Sequence, residues 1–409
     1  MQKGNGIFRV KIFLLTLTII ALVFSGYTSD NITVEEPEVS LQSGSIKYVT
    51  LEGSPYNRGL THGKVLSKEI SEVVKLWKND LENKYETDAD TFIRRFLAGT
   101  DFIPAIKQYT PGLLEEVRGI SDGSGIDFNT ILAFQLMDEI WLNGGDIIAE
   151  HCSSLGVDRK GDLPSLIGQT MDLEGFRHGY QAVLHIRYEN SDLESFVFTC
   201  AGLIALNGMN NTNVGVCVNA MEQLNYSTEG LPVAFVARGI LRKTSQDDAI
   251  KFLHDINHAS PQNYVIGGPE KIYDFERSSN KIFPFTPYSG SEVIYHTNHP
   301  IVNDDYNERY LSDIKNRDLD QIRSGNSYVR YNTLEKRLGS LTGGIGADHI
   351  RSILSSRDSE IHPVSRPYIN NSRVFTFGST IMVFGEDPEF LVSSGPPEVT
   401  NYKVYKFSK

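Results

Sequence analysis

Cysteine is scarce in this chain: its 409 residues include three, Cys152, Cys200 and Cys217. The odd count leaves at least one thiol unpaired, so a fully paired disulfide framework is excluded. Positive charge is also short, with 39 Lys and Arg against 51 Asp and Glu, a formal net charge of −12. A nucleic-acid binder normally carries a basic face, so that class is set aside. No long run of either sign occurs, and the dispersed acidity serves solubility. There is no internal repeat, and no apolar run reaches the roughly 20 residues of a spanning helix. What is present is an ordinary globular composition, 40% hydrophobic and 22% charged, with ample apolar material for a core.

The N-terminus carries the clearest local signal. Lys3, Arg9 and Lys11 lead into "IFLLTLTIIALVFSG", the basic and apolar regions of a secretory signal peptide. Residues 1–25 therefore read as a signal peptide, with cleavage expected near Ser25 to Ser29, and 26–44 as a flexible leader. Export is the expectation, with an uncleaved membrane anchor the weaker reading. Residues 45–151 open with a short strand, "IKYVTLEG", and are then mainly helical. In "TPGLLEEVRGI", Thr110 is placed to cap a helix and Pro111 suits its first turn. Asp127 is expected to cap the next helix, in "SDGSGIDFNTILAFQLMDEIW".

From residue 152 the texture turns to strands. "CSSLGVD", "SLIGQTMDL", "AVLHIRYE", "SFVFTCAGLIAL" and "VGVCVNAM" are β-rich runs. "NGMNNTNVG" reads as a tight connection between the last two. A helix over "TSQDDAIKFLHDI" follows, then more strands, "SYVRYNTLEKRL", and a final group near "STIMVFGE" and "EFLVSSG". Strands and helices arrive in blocks, which favours packed sheets with helices outside over a doubly wound parallel sheet.

Cys200 and Cys217 sit in apolar strand-like runs and read as small core residues. Cys152, in "AEHCSSLGVD", is the one in a polar context. Alone it too would read as structural; its company changes that. "EHCSSLGVD … GQTMDLEGF … GMNNTNVGVCVNAM … HTNHP" resembles the self-cleaving acyltransferases and amidohydrolases related to isopenicillin N acyltransferase, peptidase family C45 of the N-terminal nucleophile (Ntn) hydrolases. The resemblance runs from about residue 46 to about 400. It implies an α+β fold, a four-layer αββα sandwich with an N-terminal helical portion. It also implies a precursor cut between His151 and Cys152, into a 45–151 portion and a 152–409 catalytic portion that stay associated.

Such a cut has a chemical rationale. An N-terminal Cys carries its own α-amine, with an ordinary pKa of about 7.7–8.0, beside a thiol of about 8.5. Nucleophile and base then reside on one residue. By resemblance, Asp172 orients the α-ammonium or thiol, Asn298 helps form the oxyanion hole, and Asn219 is a second oxyanion or binding residue. Each alone would read as a turn or strand-end residue. The sequence departs from the pattern at His151, where the namesake acyltransferase has Gly, a residue that eases strain at the scissile bond. For the family's late Arg, Arg366 and Arg373 both stand as candidates.

The implied activity is hydrolysis of a linear amide through an acyl-thioester, or acyl transfer to an amine, on a small-molecule substrate. No cofactor or metal is called for. Outside the cell acyl-CoA is scarce, which favours hydrolysis. The alternative is an exported Ntn scaffold that binds without catalysis, and it would stay one chain. "HTNH" also raises a metal site at His296 and His299, but without a third ligand or an H-E-x-x-H helix. A papain-like pairing of Cys152 with either His lacks the family's flanking residues.

Overall fold

The computed structural model describes residues 46–144, 152–315, 317–369 and 372–407. The expected signal peptide, the leader and His151 lie outside them. The described chain opens with β1 (Lys47–Leu51), followed by α1 (Pro55–Val65), α2 (Ser67–Tyr85), α3 (Ala89–Ala98), α4 (Phe102–Tyr109), α5 (Pro111–Ser124), α6 (Phe128–Phe134) and α7 (Met137–Gly144). Then come β2 (Cys152–Val157), β3 (Leu166–Glu174), β4 (Gln181–Arg187), β5 (Glu194–Cys200), β6 (Asn207–Asn210) and β7 (Gly215–Ala220). Next are α8 (Val233–Ile240), α9 (Gln246–Asp255), β8 (Gln262–Gly267), β9 (Tyr273–Arg277), β10 (Ile282–Phe285) and β11 (Val293–His296). The rest comprises α10 (Glu308–Ile314), α11 (Leu319–Arg323), α12 (Asn326–Gly339), α13 (Ala347–Leu354), β12 (Val374–Val383), β13 (Glu389–Ser393) and β14 (Tyr402–Lys406).

The strands form two sheets. One has eight, in the order β1-β4-β5-β6-β7-β8-β9-β10; the other has six, β11-β2-β3-β12-β13-β14. The pairings are antiparallel except that β1 runs parallel to β4. The sheets face each other, with β2 and β3 against β7 and β8. Helices α12 and α13 cover the outer face of the six-stranded sheet, where Leu334, Leu338, Ile350 and Leu354 meet Leu155, Leu166 and Ile381. On the eight-stranded sheet, α1, α8 and α9 pack on β1, β7 and β8. The result is the αββα sandwich that the resemblance implies. Because both faces of β2 and β3 are covered, both strands are buried almost throughout.

Local expectations meet mixed outcomes. Asp127 caps α6 by accepting from the Thr130 N–H at 3.0 Å. Thr110 occupies the N-cap position of α5 but its hydroxyl donates back to Ile106 O at 3.3 Å, so it closes α4 instead. The first half of "NGMNNTNVG" is strand β6; only the second half turns, around Asn210 Oδ1, which accepts from the Thr212 and Val214 N–H groups. All three cysteines are free, and Cys200 and Cys217 are fully buried core residues. Among the described residues no helix is long and apolar enough to cross a membrane.

Candidate active site

Cys152 is the first residue of β2, 9% exposed, on the face that looks toward the other sheet. Its N–H donates to Asn298 Oδ1 at 2.8 Å. Asn298 follows β11 by two residues, and β11 is the antiparallel neighbour of β2, so the sheet register brings 152 and 298 together. The amide of Asn298 is held from both ends, because its Nδ2 donates to Ala220 O at 3.0 Å. Its backbone N–H donates to Ser327 Oγ at 2.8 Å.

The centre of this cluster is Arg330, which the sequence reading did not single out. It is fully buried on α12. Its Nη1 donates to Cys152 O at 2.5 Å and Ser153 Oγ at 2.8 Å, its Nη2 to Asn298 Oδ1 at 2.8 Å, and its Nε to Asn326 Oδ1 at 2.7 Å. Burial pulls its pKa down to about 10, which still leaves it cationic at neutral pH. A signal for it existed. Arg330, Leu334 and Leu338 recur every four residues along α12 and are its buried stripe, so a charge stands on the apolar face. A buried charge needs partners, and such partners cluster at functional sites.

Asp172 lies next to Met171, the register partner of Cys152. Side chains alternate along a strand. Met171 and Leu173 therefore share a pocket with Cys152, while Asp172 projects to the opposite face of the sheet. There its Oδ1 accepts from Thr376 Oγ1 at 2.6 Å, and Arg366 Nε approaches Oδ2 at 3.6 Å, an ion pair too long for a hydrogen bond. Oδ2 is buried with no hydrogen-bond partner among the described residues. Burial raises the carboxyl to about 6, against the opposing pull of Thr376 and Arg366. Of the two late arginines, Arg366 is the one beside the Asp172 carboxylate. Arg373 contributes its backbone carbonyl to the Gly175 N–H.

Asn219, on β7, is fully buried, and its Oδ1 accepts from Ser154 Oγ at 2.6 Å across the two sheets. Its Nδ2 is a buried donor with no acceptor among the described residues. Burial, then the Asp172 carboxylate, push the Cys152 thiol well above its ordinary pKa, with Arg330 pulling the other way. As a mid-chain residue it is therefore a protonated thiol of low reactivity.

The two histidines of "HTNH" are otherwise employed. His296 Nε2 bonds Glu276 Oε1 at 2.9 Å and its Nδ1 bonds Thr297 O at 2.8 Å. Both partners are acceptors, so both ring nitrogens carry protons and the ring is an imidazolium. Burial alone would lower its pKa, but Glu276 and Asp274 outweigh that and raise it. Glu276 also accepts from the N–H groups of Ile301, Val302 and Asn303, which pins the chain just beyond Asn298. His299 bonds Ser327 Oγ at 2.7 Å, and burial depresses it to about 3. Neither ring is hydrogen-bonded to Cys152, and the described residues hold no cluster of His, Cys, Asp or Glu suited to a metal.

An apolar pocket of about 580 Å³, open mouth included, begins at Cys152 and Asn298 and is walled by Trp141, Met171, Leu203 and Val218.

Comparison with known proteins places this site in context. Protein dcd1A of Dictyostelium discoideum is 25% identical over 335 residues, covering 72% of this chain and 71% of that protein. Two solved structures align with the chain at low similarity. A Caenorhabditis elegans N-acylethanolamine-hydrolyzing acid amidase ortholog aligns with a TM-score of 0.40 and 16% identity, covering 57% of this chain and 92% of its own. A variant of the conjugated bile acid hydrolase from Clostridium perfringens gives 0.42 and 14%, covering 63% and 98%. A family model described as acyl-coenzyme A:6-aminopenicillanic acid acyl-transferase matches residues 159–391, more than half the chain. The chain belongs to the acyl-coenzyme A:6-aminopenicillanic acid acyl-transferase family.

Proposed function

We propose that the protein is an exported, self-processing hydrolase that cleaves linear amide bonds with Cys152 as its N-terminal nucleophile. The observation that carries this reading is the grip on Cys152. Its nitrogen is held by Asn298 and its carbonyl by Arg330, at the mouth of an apolar pocket. Both partners are polar side chains rather than the main chain of a neighbouring strand.

In the uncut chain the thiol is protonated and buried. Attack of Sγ on the carbonyl of residue 151 forms a thioester and breaks the peptide C–N bond, whose nitrogen takes the thiol proton. Water then hydrolyses the thioester and frees Cys152 with an α-amine. That amine takes over the anchor on Asn298 Oδ1, within reach of its own thiol. Toward substrate, the amine accepts the thiol proton as Sγ attacks an amide carbonyl. The oxyanion is stabilised by amide donors of Asn298 and Asn219, with Arg330 supplying positive charge nearby. Removing one such donor typically costs about 10²–10³ in rate. The leaving amine takes the proton back from the α-ammonium, and water resolves the acyl-thioester. Asp172, ion-paired with Arg366, supplies counter-charge on the far side of β3.

The test is intact mass and N-terminal sequencing of the purified protein beside Cys152→Ala. The expected result is a fragment beginning Cys-Ser-Ser in the wild type, absent from the variant, together with amidase activity only in the wild type. A wild type that stays one chain under the same conditions would overturn the reading and leave a binding scaffold.

A further inference from the structure

The pocket beside Cys152 is mostly apolar, and away from Asn298 and Gln135 it holds one polar pair. Asp138, in the first turn of α7, lines it, and so does Gln262 at the start of β8. Gln262 Nε2 donates to Asp138 Oδ2. That bond turns the other end of the amide, Oε1, into a buried acceptor with no partner among the described residues, on a residue only 1% exposed. Trp141 stands three residues beyond Asp138, on the same face of α7, and lines the pocket too. No Lys or Arg lines it among the described residues. A carboxylate, an unsatisfied carbonyl oxygen and an indole ring thus line one cavity whose other walls are mainly Met, Leu, Val and Ala.

A carboxylate facing an apolar cavity is costly unless a cation or strong donors pair with it. Burial already strains it: the carboxyls of Asp138 and its neighbour Glu139 are both raised by desolvation. The chemistry that satisfies all three groups is an ammonium. It donates N–H to the carboxylate and to Gln262 Oε1, and it is attracted to an aromatic face. A hydroxyl has one proton and no charge, and a plain alkyl end leaves both oxygens unpaired. Cys152, to which an acyl group would be joined, is itself part of the pocket's lining.

We propose that this pocket receives the acyl half of the substrate, and that this acyl group carries a positively charged amino group seated against Asp138, Gln262 and Trp141. Its methylenes run past Met171, Leu203 and Val218 to the carbonyl at Cys152. Only the identification of the ligand as an acyl group rests on the amide-cleavage reading above; the preference for an ammonium rests on the pocket itself.

Two measurements on the wild-type protein separate the two ideas. The first is calorimetric binding of short ω-amino carboxylic acids against straight-chain carboxylic acids of equal length, which need no turnover. The second is hydrolysis of the matching p-nitroanilides. The amino series is expected to bind and react about tenfold better or more, with the advantage lost in Asp138→Asn. Selective binding without hydrolysis would uphold this proposal and overturn the amidase reading. Hydrolysis with equal or better use of the unsubstituted series would uphold the amidase reading and overturn this one. Absence of both selective binding and hydrolysis would overturn both. Loss of all binding in Asp138→Asn leaves the wild-type comparison to decide.

Discussion

A guanidinium with four acceptors, Arg330, holds the carbonyl of Cys152, the hydroxyl beside it and the amide that grips its nitrogen. Its planar fork reaches several acceptors at once, which a lysine ammonium on a flexible stem cannot reproduce. Arg330→Lys is therefore expected to lower kcat/KM by about 10²–10³ and to slow appearance of the Cys152 fragment, with circular dichroism unchanged. Wild-type kinetics in that variant would reduce Arg330 to a generic positive charge. At this scale the sequence was informative in some places and silent in others. Cys152 alone of the three cysteines had polar neighbours, and it and Asn298 were singled out by the family resemblance of the motifs around them. Arg330 was masked by an ordinary helix pattern, and its contacts join residues 178 and 32 positions apart. Asp172 was expected to orient the α-ammonium or the thiol. The strand alternation turns its side chain away, an outcome that depends on which face of β3 is the pocket face.

Helices α1 and α5 cross with backbone against backbone. Gly59 and Gly63 on one and Gly119 and Gly123 on the other recur at four-residue spacing, so each helix offers a stripe without side chains. A Cβ built at Gly119 would stand 2.2 Å from Tyr56 O, and one at Gly59 1.9 Å from Glu116 O. Both neighbours are main chain and cannot swing aside. Gly119→Ala is expected to cost about 1–3 kcal/mol or more, as overpacked sites do, read as a drop in Tm. Gly339→Ala, at the end of α12 where nothing lies within 4 Å, is the control expected to leave Tm in place. Element type was widely legible because period-two and period-3.6 patterns are local. Strands β6, β10 and β14 were not, being short and, in β10, carrying Pro284. Strand β10 is an edge of its sheet, where a missing N–H is tolerated.

Across the whole molecule, the portions on either side of residue 151 are woven together. β1 adds to the sheet of β4, and Glu116 of α5 joins Arg238 of α8 at 2.7 Å and Arg58 of α1 at 3.2 Å, all buried. The two fragments of a processed protein are expected to co-elute at neutral pH in size-exclusion chromatography and to part only on denaturation. Burial alone would raise the pKa of Glu116, but Arg238 and Arg58 outweigh it and hold it below its ordinary 4.5. Its contribution to stability is therefore fully present above pH 4.5 and is lost as pH falls through the lower folded value. Glu116→Gln leaves two buried cations without their counter-charge and is expected to cost about 3–5 kcal/mol. Below pH 4.5 its Tm should decline less steeply than that of the wild type. The sequence by itself determined most element types, the odd thiol, and the order of motifs that marks the family, because those properties reside in neighbouring residues or in their succession. Tertiary structure alone decided which side chains share a face and a cavity. Arg330 at Cys152, Asp172 behind the strand, and Asp138 with Gln262 in the pocket are each set by strand register and helix rotation between segments distant in the chain, and a one-residue slip in any of them would have placed the same residues elsewhere.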